Sequence, residues 1–374
     1  MKTIPLLVPH MPQADSLLPY LRQIDGSRHY TNFGPLSAEF ERRIAADVGS
    51  HWAANQVTTV SNCTVGLELA LQALQLKPGA RVLIPAITFA ATVTAVIRVG
   101  FQPVISDIDP DTWLLTPAIA RRLLAKDRID AVMPVSTFGC PHDPAEWDAF
   151  VAETSIPVVI DAAGAYGNQM PGELTDVVYS FHATKSFGAA EGGAVLSRST
   201  DRIKQIRKLS NFGIDTSIAM LDSIGTNGKM SEYHCAIGLA SFDVWPQTKQ
   251  ARRELTRRYL DVLQALCPFL VHQRKPEDGI YPLMPVLLPK GAPATAWAAL
   301  LGEKGIQTRR WYSPSLHTHP ALHDVPIAGS LDNALDIGDR ILGIPFFIDM
   351  SDADVRFVCE ALADAHKQLG GTAS

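Results

Sequence analysis

Lys185 stands in the run Ser180-Phe181-His182-Ala183-Thr184-Lys185-Ser186-Phe187-Gly188, directly after the apolar segment Val177-Val178-Tyr179. A lysine just past a strand sits at the edge where open α/β sheets bind ligands. Its neutral amine can form an imine with an aldehyde, the chemistry that anchors pyridoxal phosphate. Most lysines are solvated surface charges, so one residue does not make a site. The second residue is Asp161, which closes the apolar run Val158-Val159-Ile160. A carboxylate there either caps a helix or faces a cation or ligand. Set against a pyridine nitrogen, it favours the protonated ring, which then draws electrons from a substrate carbon that loses its proton.

A phosphate needs donors. Ser61-Asn62-Cys63-Thr64 precedes an apolar helical pattern, so backbone N–H groups and the Thr64 hydroxyl would converge on an anion at a helix N-terminus. The same residues also read as a plain N-cap by Asn62 or Thr64. Ser180 is a second candidate donor or a satisfied strand-end serine. Phe89 follows a strand and either stacks on a flat ring or joins the core. Other site classes lack their residues. No Gly-x-Gly-x-x-Gly follows a strand and no Gly-x-Ser-x-Gly occurs, while Gly228-Lys229-Met230-Ser231 lacks the rest of a phosphate loop. The histidines show no metal-like spacing, and His317-x-His319 reads as loop. No metal is expected.

The elements that must position these residues alternate from about residue 40 to 240. Short apolar runs at Val82–Pro85, Val104–Asp107, Ala131–Val135 and Pro157–Ile160 read as strands. Helical patterns at Val65–Leu76, Ala90–Val99, Pro117–Ala125 and Pro144–Glu153 separate them, the rhythm of a largely parallel sheet covered by helices. On the first helix Glu68, Gln72 and Gln75 share a polar face. Gly100 closes the second. After Trp245-Pro246 a charged helical stretch, Gln250–Leu266, leads into the strand Tyr281–Leu288 and helices near Ala294–Lys304 and Ala353–Leu369. We expect an α/β fold of two domains, residues 1–245 and 246–374, the second a smaller α+β unit.

With 374 residues, 47% hydrophobic and 19% charged, the chain can bury a real core. A net charge of −5 without a basic block argues against nucleic acid or an anionic membrane as partner. Five scattered cysteines without a Cys-x-x-Cys pair form neither a disulfide framework nor a zinc site. Met1-Lys2-Thr3-Ile4-Pro5 opens a proline-punctuated arm rather than a cleavable signal, and no apolar run reaches membrane-spanning length. The cytoplasm is the expected location.

With these residues in place, the chain resembles the DegT/StrS-type sugar-nucleotide aminotransferases, a branch of the fold-type I pyridoxal-phosphate enzymes. The resemblance runs through Asn32-Phe33-Gly34-Pro35, Ser61-Asn62-Cys63-Thr64, Pro85-Ala86-Ile87-Thr88-Phe89, Asp107-Ile108-Asp109-Pro110 and Asp161-Ala162-Ala163. It continues through the Lys185 segment, Asn211-Phe212-Gly213, Gly225–Glu232, Arg310-Trp311-Tyr312 and Arg340–Pro345. It implies a mostly parallel seven-stranded sheet flanked by helices, and roles residue by residue. Lys185 would hold the cofactor and shuttle a proton, with Asp161 at the ring nitrogen and Phe89 on the ring face. Thr64, the Cys63 backbone and Ser180 would hold the phosphate, joined by Asn227 from a second copy in a homodimer. The implied reaction moves an amino group from an amino acid, usually L-glutamate, to a keto carbon of a nucleotide-linked deoxysugar. His182-Ala183-Thr184-Lys185, Glu191-Gly192-Gly193 and Arg309–Tyr312 are most similar to members acting on 4-keto-6-deoxy sugars.

Three departures stand out. Gly164 replaces the glutamine or histidine common three residues after the aspartate, Cys63 replaces a glycine or alanine, and Lys229 replaces an arginine. Gly164 keeps open an alternative on the same cofactor, a sugar dehydratase or a lyase or cyclase. An intact Lys185 favours transamination. Lys185 must be neutral to attack, so burial and nearby positive charge are expected to lower its pKa.

Overall fold

The computed structural model describes residues 3–215 and 217–370, so Met1 and Lys2 of the expected arm lie outside the described residues. Seven strands form the central layer: β1 (Val57–Val60), β2 (Arg81–Pro85), β3 (Gln102–Ser106), β4 (Ala131–Val132), β5 (Val159–Asp161), β6 (Asp176–Ser180) and β7 (Gly193–Leu196). Two ladders, β1-β7-β6-β5 and Ile327–Ala328-β3-β2-β4, are joined by the parallel bridges Val132–Val158 and Val135–Asp161. The combined order is β1-β7-β6-β5-β4-β2-β3. Only β7 runs against its neighbours. Ile327–Ala328 adds an eighth, two-residue strand parallel to β3, which the seven-strand expectation lacks.

These strands are buried on both faces, which is why β2, β3, β5 and β6 read as continuous apolar runs rather than alternating ones. Period two nevertheless sorts their side chains. Leu83, Ile160, Val177 and Tyr179 enter one apolar cluster, whereas Val82, Ile84, Val159 and Val178 enter the cluster on the opposite face. Helices α1 (Ala14–Ser27), α2 (Pro35–Val48), α3 (Cys63–Gln72), α4 (Ala90–Arg98), α5 (Pro117–Leu124), α6 (Pro144–Thr154), α7 (Thr200–Ser210), α8 (Glu232–Asp243) and α9 (Trp245–Leu266) follow in chain order.

Two helix boundaries differ from the sequence reading by four residues or more, and each difference has a local cause. Helix α3 ends at Gln72, and Gln75 adopts a left-handed φ of 54° beyond it. Only Glu68 and Gln72 therefore remain on the polar face, Glu68 pairing with Arg98 at 2.8 Å. Helix α9 begins at Trp245 rather than Gln250, because Pro246 falls in its first turn, where a missing N–H costs nothing.

A third apolar cluster gathers Leu255, Tyr259 and Leu263 of α9 with Trp297, Leu342, Val358 and Leu362. Its two-stranded ladder pairs Met284–Leu287 antiparallel with Ile341–Ile344. Ile4 of the N-terminal arm joins this cluster and bridges to Ile306. No described helix is long and apolar enough to cross a membrane.

Candidate active site

The carboxyl ends of β1, β2, β5 and β6 open into one cavity of about 660 Å³. Cys63, Thr64, Phe89, Asp161, Ser180 and Lys185 all line it. Asn227, the seventh expected residue, does not. It is exposed and bridges backbone to Asn211.

Asp161 ends β5 and is 3% exposed. Its Oδ2 accepts a 2.8 Å hydrogen bond from the Thr92 hydroxyl, itself 2.8 Å from the Thr88 hydroxyl. Its Oδ1 accepts the Ala163 N–H at 3.1 Å. Burial pushes the carboxyl above the ordinary carboxylate range, while Thr92, the Ala163 N–H and the Lys185 charge pull it down. Thr92 was absent from the sequence-based candidates. Its only signal was the four-residue spacing from Thr88, and the proximity to Asp161 arises from packing across 69 residues.

Lys185 follows β6 in a tight turn, its N–H donating to the His182 carbonyl at 2.9 Å. Burial lowers its pKa, opposed by Cys63 and Asp161. The expected contribution from nearby positive charge is not found: desolvation is the one cause that lowers the pKa, while the buried Cys63 and Asp161 favour the protonated form. A lowered pKa moves the amine toward the neutral form that attack on an aldehyde requires.

The candidate phosphate end is built at the start of α3. Asn62 is the N-cap, its Oδ1 accepting the Val65 N–H at 2.9 Å. Both readings of this turn therefore hold together, because Asn62 satisfies one N–H and leaves others free. The N–H groups of Cys63 and Thr64 find no acceptor among the described residues. Gly193 makes the cradle possible, since a Cβ there would lie 2.7 Å from the Tyr179 carbonyl oxygen and 3.0 Å from the Cys63 nitrogen. The Ser180 hydroxyl accepts the His182 N–H at 3.3 Å and keeps its own proton to donate.

Aromatic rings form the opposite wall. Tyr312 stacks on Phe138 with centroids 5.4 Å apart and lies 6.2 Å from Phe89, which is 57% exposed. Arg309 lies 4.1 Å over the Trp311 ring, and His182, Thr184 and Glu191 complete the rim. Gly164 also lines the cavity. A Cβ there would meet the Gly139 nitrogen at 3.4 Å and Pro282 Cγ at 3.7 Å, ordinary contacts, so a Cβ fits at this position without a clash. Lys229 lies outside the cavity, 4.6 Å over the Phe212 ring.

The model of the DegT/DnrJ/EryC1/StrS aminotransferase family matches residues 13–363. The chain belongs to that family. It is a pyridoxal-phosphate-dependent aminotransferase of fold type I. DesI, solved in the presence of its TDP-sugar product, is 30% identical, covers 99% of this chain and 94% of its own, and superposes with a TM-score of 0.88. A Bacillus cereus protein assigned as a PLP-dependent aminotransferase is 31% identical over 96% of this chain and all of its own, with a TM-score of 0.89. The dTDP-4-amino-4,6-dideoxy-D-glucose transaminase of Escherichia coli is 27% identical over 94% of this chain and 95% of its own.

The residues present fit the cofactor. An amine with lowered pKa, a buried carboxylate and unclaimed N–H groups at a helix start are the three features it requires, and one cavity holds all three.

Proposed function

We propose that this aminotransferase transfers nitrogen from L-glutamate to the 4-keto carbon of a nucleotide-linked deoxysugar. The observation that carries the reading is the single cavity joining Lys185 and Asp161 to the α3 N-terminus, with volume beyond them for a sugar. The 4-amino sugar in the name of the Escherichia coli relative and the TDP-sugar product of DesI support the substrate class.

In this reading the Cys63 and Thr64 N–H groups, the Thr64 hydroxyl and Ser180 bind the cofactor phosphate, and Phe89 covers the ring. Asp161, held by Thr92, keeps a negative charge at the ring nitrogen. When bound, pyridoxal phosphate supplies the electron sink that makes a substrate α-proton acidic. Lys185 Nζ would be the group that takes up that proton and gives it back. The aromatic wall excludes water from the exchange.

Asn227 completes the phosphate site from a second copy, so the active unit is a homodimer. Asn227 lies in a stretch that bares Phe212, Met220, Leu221 and Ile224, the last 76% exposed, which supports burial against another chain. In this reading residues 1–245 are the arm and cofactor domain and 246–374 the smaller domain; the apolar cluster around α9 supports the division, while Ile4 and the strand Ile327–Ala328 cross it. The enzyme works in the cytoplasm, without nucleic acid or membrane partners.

The test is a panel of nucleotide-linked ketosugars with L-glutamate, read by mass spectrometry. A product gaining one amino group is expected. If none gains nitrogen while glutamate is still deaminated, the sugar assignment is wrong and the aminotransferase stands. Loss of water without gain of nitrogen would favour the dehydratase reading that Gly164 keeps open.

A further inference from the structure

Arg252 stands on α9 with 4% of its surface exposed. Among the described residues no carboxylate pairs with it, and its Nε has no hydrogen-bond partner. A buried cation without a counter-charge is costly, and an apolar side chain of similar volume fills such a position more cheaply. Burial lowers the pKa of Arg252 to about 10, which leaves it charged at neutral pH.

Its two terminal nitrogens reach two main-chain carbonyls. Nη1 donates to Tyr281 at 3.2 Å, and Nη2 donates to Lys185 at 3.4 Å. The first carbonyl precedes Pro282 and Leu283, which line the cavity, and the second belongs to the residue whose amine enters it. Neighbouring ties repeat the pattern. The Ser186 hydroxyl donates to the Ile280 carbonyl at 3.3 Å. The Asn168 side chain donates to the Gly139 and Ile280 carbonyls at 2.9 Å each, and its oxygen accepts the Ile280 N–H at 2.7 Å. Of these side chains only Arg252 is charged, and only it touches Lys185 itself.

We propose that Arg252 is a positioning residue: its planar fork holds the main chains of Lys185 and Tyr281 at a set separation. It thereby fixes where the Lys185 amine stands against the Pro282–Leu283 wall. This rests on the reading of Lys185 as the cofactor-bearing amine. The fork geometry matters, because a lysine would keep the charge but present a single point of donation.

The experiment compares Arg252→Met and Arg252→Lys with the parent enzyme. Misplacing a reacting group by about 1 Å costs on the order of a hundredfold in rate. Arg252→Met is therefore expected to lose roughly tenfold to a hundredfold in kcat, with KM for the sugar substrate within about twofold. Arg252→Lys should fall between. In cofactor-free protein, amide hydrogen exchange should accelerate in peptides spanning 182–189 and 279–284 and stay unchanged along α9. The proposal is overturned if both variants keep the parent kcat and exchange pattern. It is equally overturned if exchange rises along all of α9, since that marks a helix-packing residue. Should Arg252→Met fail to fold, Arg252→Lys carries both readouts. Borohydride treatment of the parent separates the underlying reading: if it does not fix the cofactor to Lys185, that reading fails, while the exchange data still judge the tie.

Discussion

Replacing Thr92 by valine keeps the shape of a fully buried side chain and removes one hydroxyl. That hydroxyl donates to Asp161 Oδ2 at 2.8 Å, so its loss leaves the carboxylate with the Ala163 N–H as its remaining recorded donor. A hydrogen bond to a charged group contributes about 1.5–3 kcal/mol. At about 1.4 kcal/mol per pKa unit, Asp161 should rise by about one to two further units in the folded enzyme. Its pKa is already raised by burial, so the ionised form is the one that folding disfavours. The cost is therefore absent at low pH, grows as pH climbs above the ordinary carboxylate range, and saturates above the folded pKa. Two measurements follow. The acid limb of kcat/KM for Thr92→Val, followed from about pH 5 to 9, should move up by about one to two units. Thermal unfolding curves of the two proteins should coincide in acid and separate as pH rises. Thr88→Val, which leaves the Thr92–Asp161 contact in place, should shift the limb less. If the limb and the pH dependence of Tm for Thr92→Val overlie those of the parent, Thr92 does not tune the carboxylate that the reaction uses.

Four other outcomes are expected. Lys185→Met should abolish turnover and borohydride fixation of the cofactor while the circular dichroism spectrum stays that of the parent. Gly193→Ala drives a methyl to 2.7 Å from the Tyr179 carbonyl oxygen and 3.0 Å from the Cys63 nitrogen; overpacking should cost about 1–3 kcal/mol of stability and weaken cofactor binding, read by equilibrium dialysis. Burial holds His142 down at about 4, so the unfolded chain takes up its proton first as pH falls below the ordinary histidine value of 6.5. Stability should decline from there to about pH 4 by about 3 kcal/mol, and His142→Leu should flatten that part of the denaturation profile. Gly164→Gln, whose Cβ has ordinary contacts, should fold normally and alter the cofactor absorbance spectrum. An unchanged spectrum would mean that a side chain at 164 does not reach the cofactor.

Much of this was readable in the sequence, for physical reasons. Strands buried on both faces must be continuous apolar runs, so β2, β3, β5 and β6 announce themselves and carry Asp161 and Ser180 at their ends. β1, with two threonines among its four residues, and β7, opened by Gly193 and Ala194, lack that signature and went unassigned. The amine, the acid and the N-cap turn are also local features, because each depends on a residue type next to one element boundary.

What only the tertiary structure decided are relations between segments distant along the chain. The Thr92 hydroxyl on Asp161, the Arg252 fork on the Lys185 and Tyr281 carbonyls, and the addition of Ile327–Ala328 to β3 leave no periodicity behind. The environment of Lys185 is of the same kind. The sequence supplied the amine, but its lowered pKa comes from desolvation inside a cavity that β1, β2, β5, β6 and the segments at 282–283 and 309–312 enclose together. Composition and spacing choose which groups are present; burial and the distances between them, set by packing, choose the protonation state in which they act.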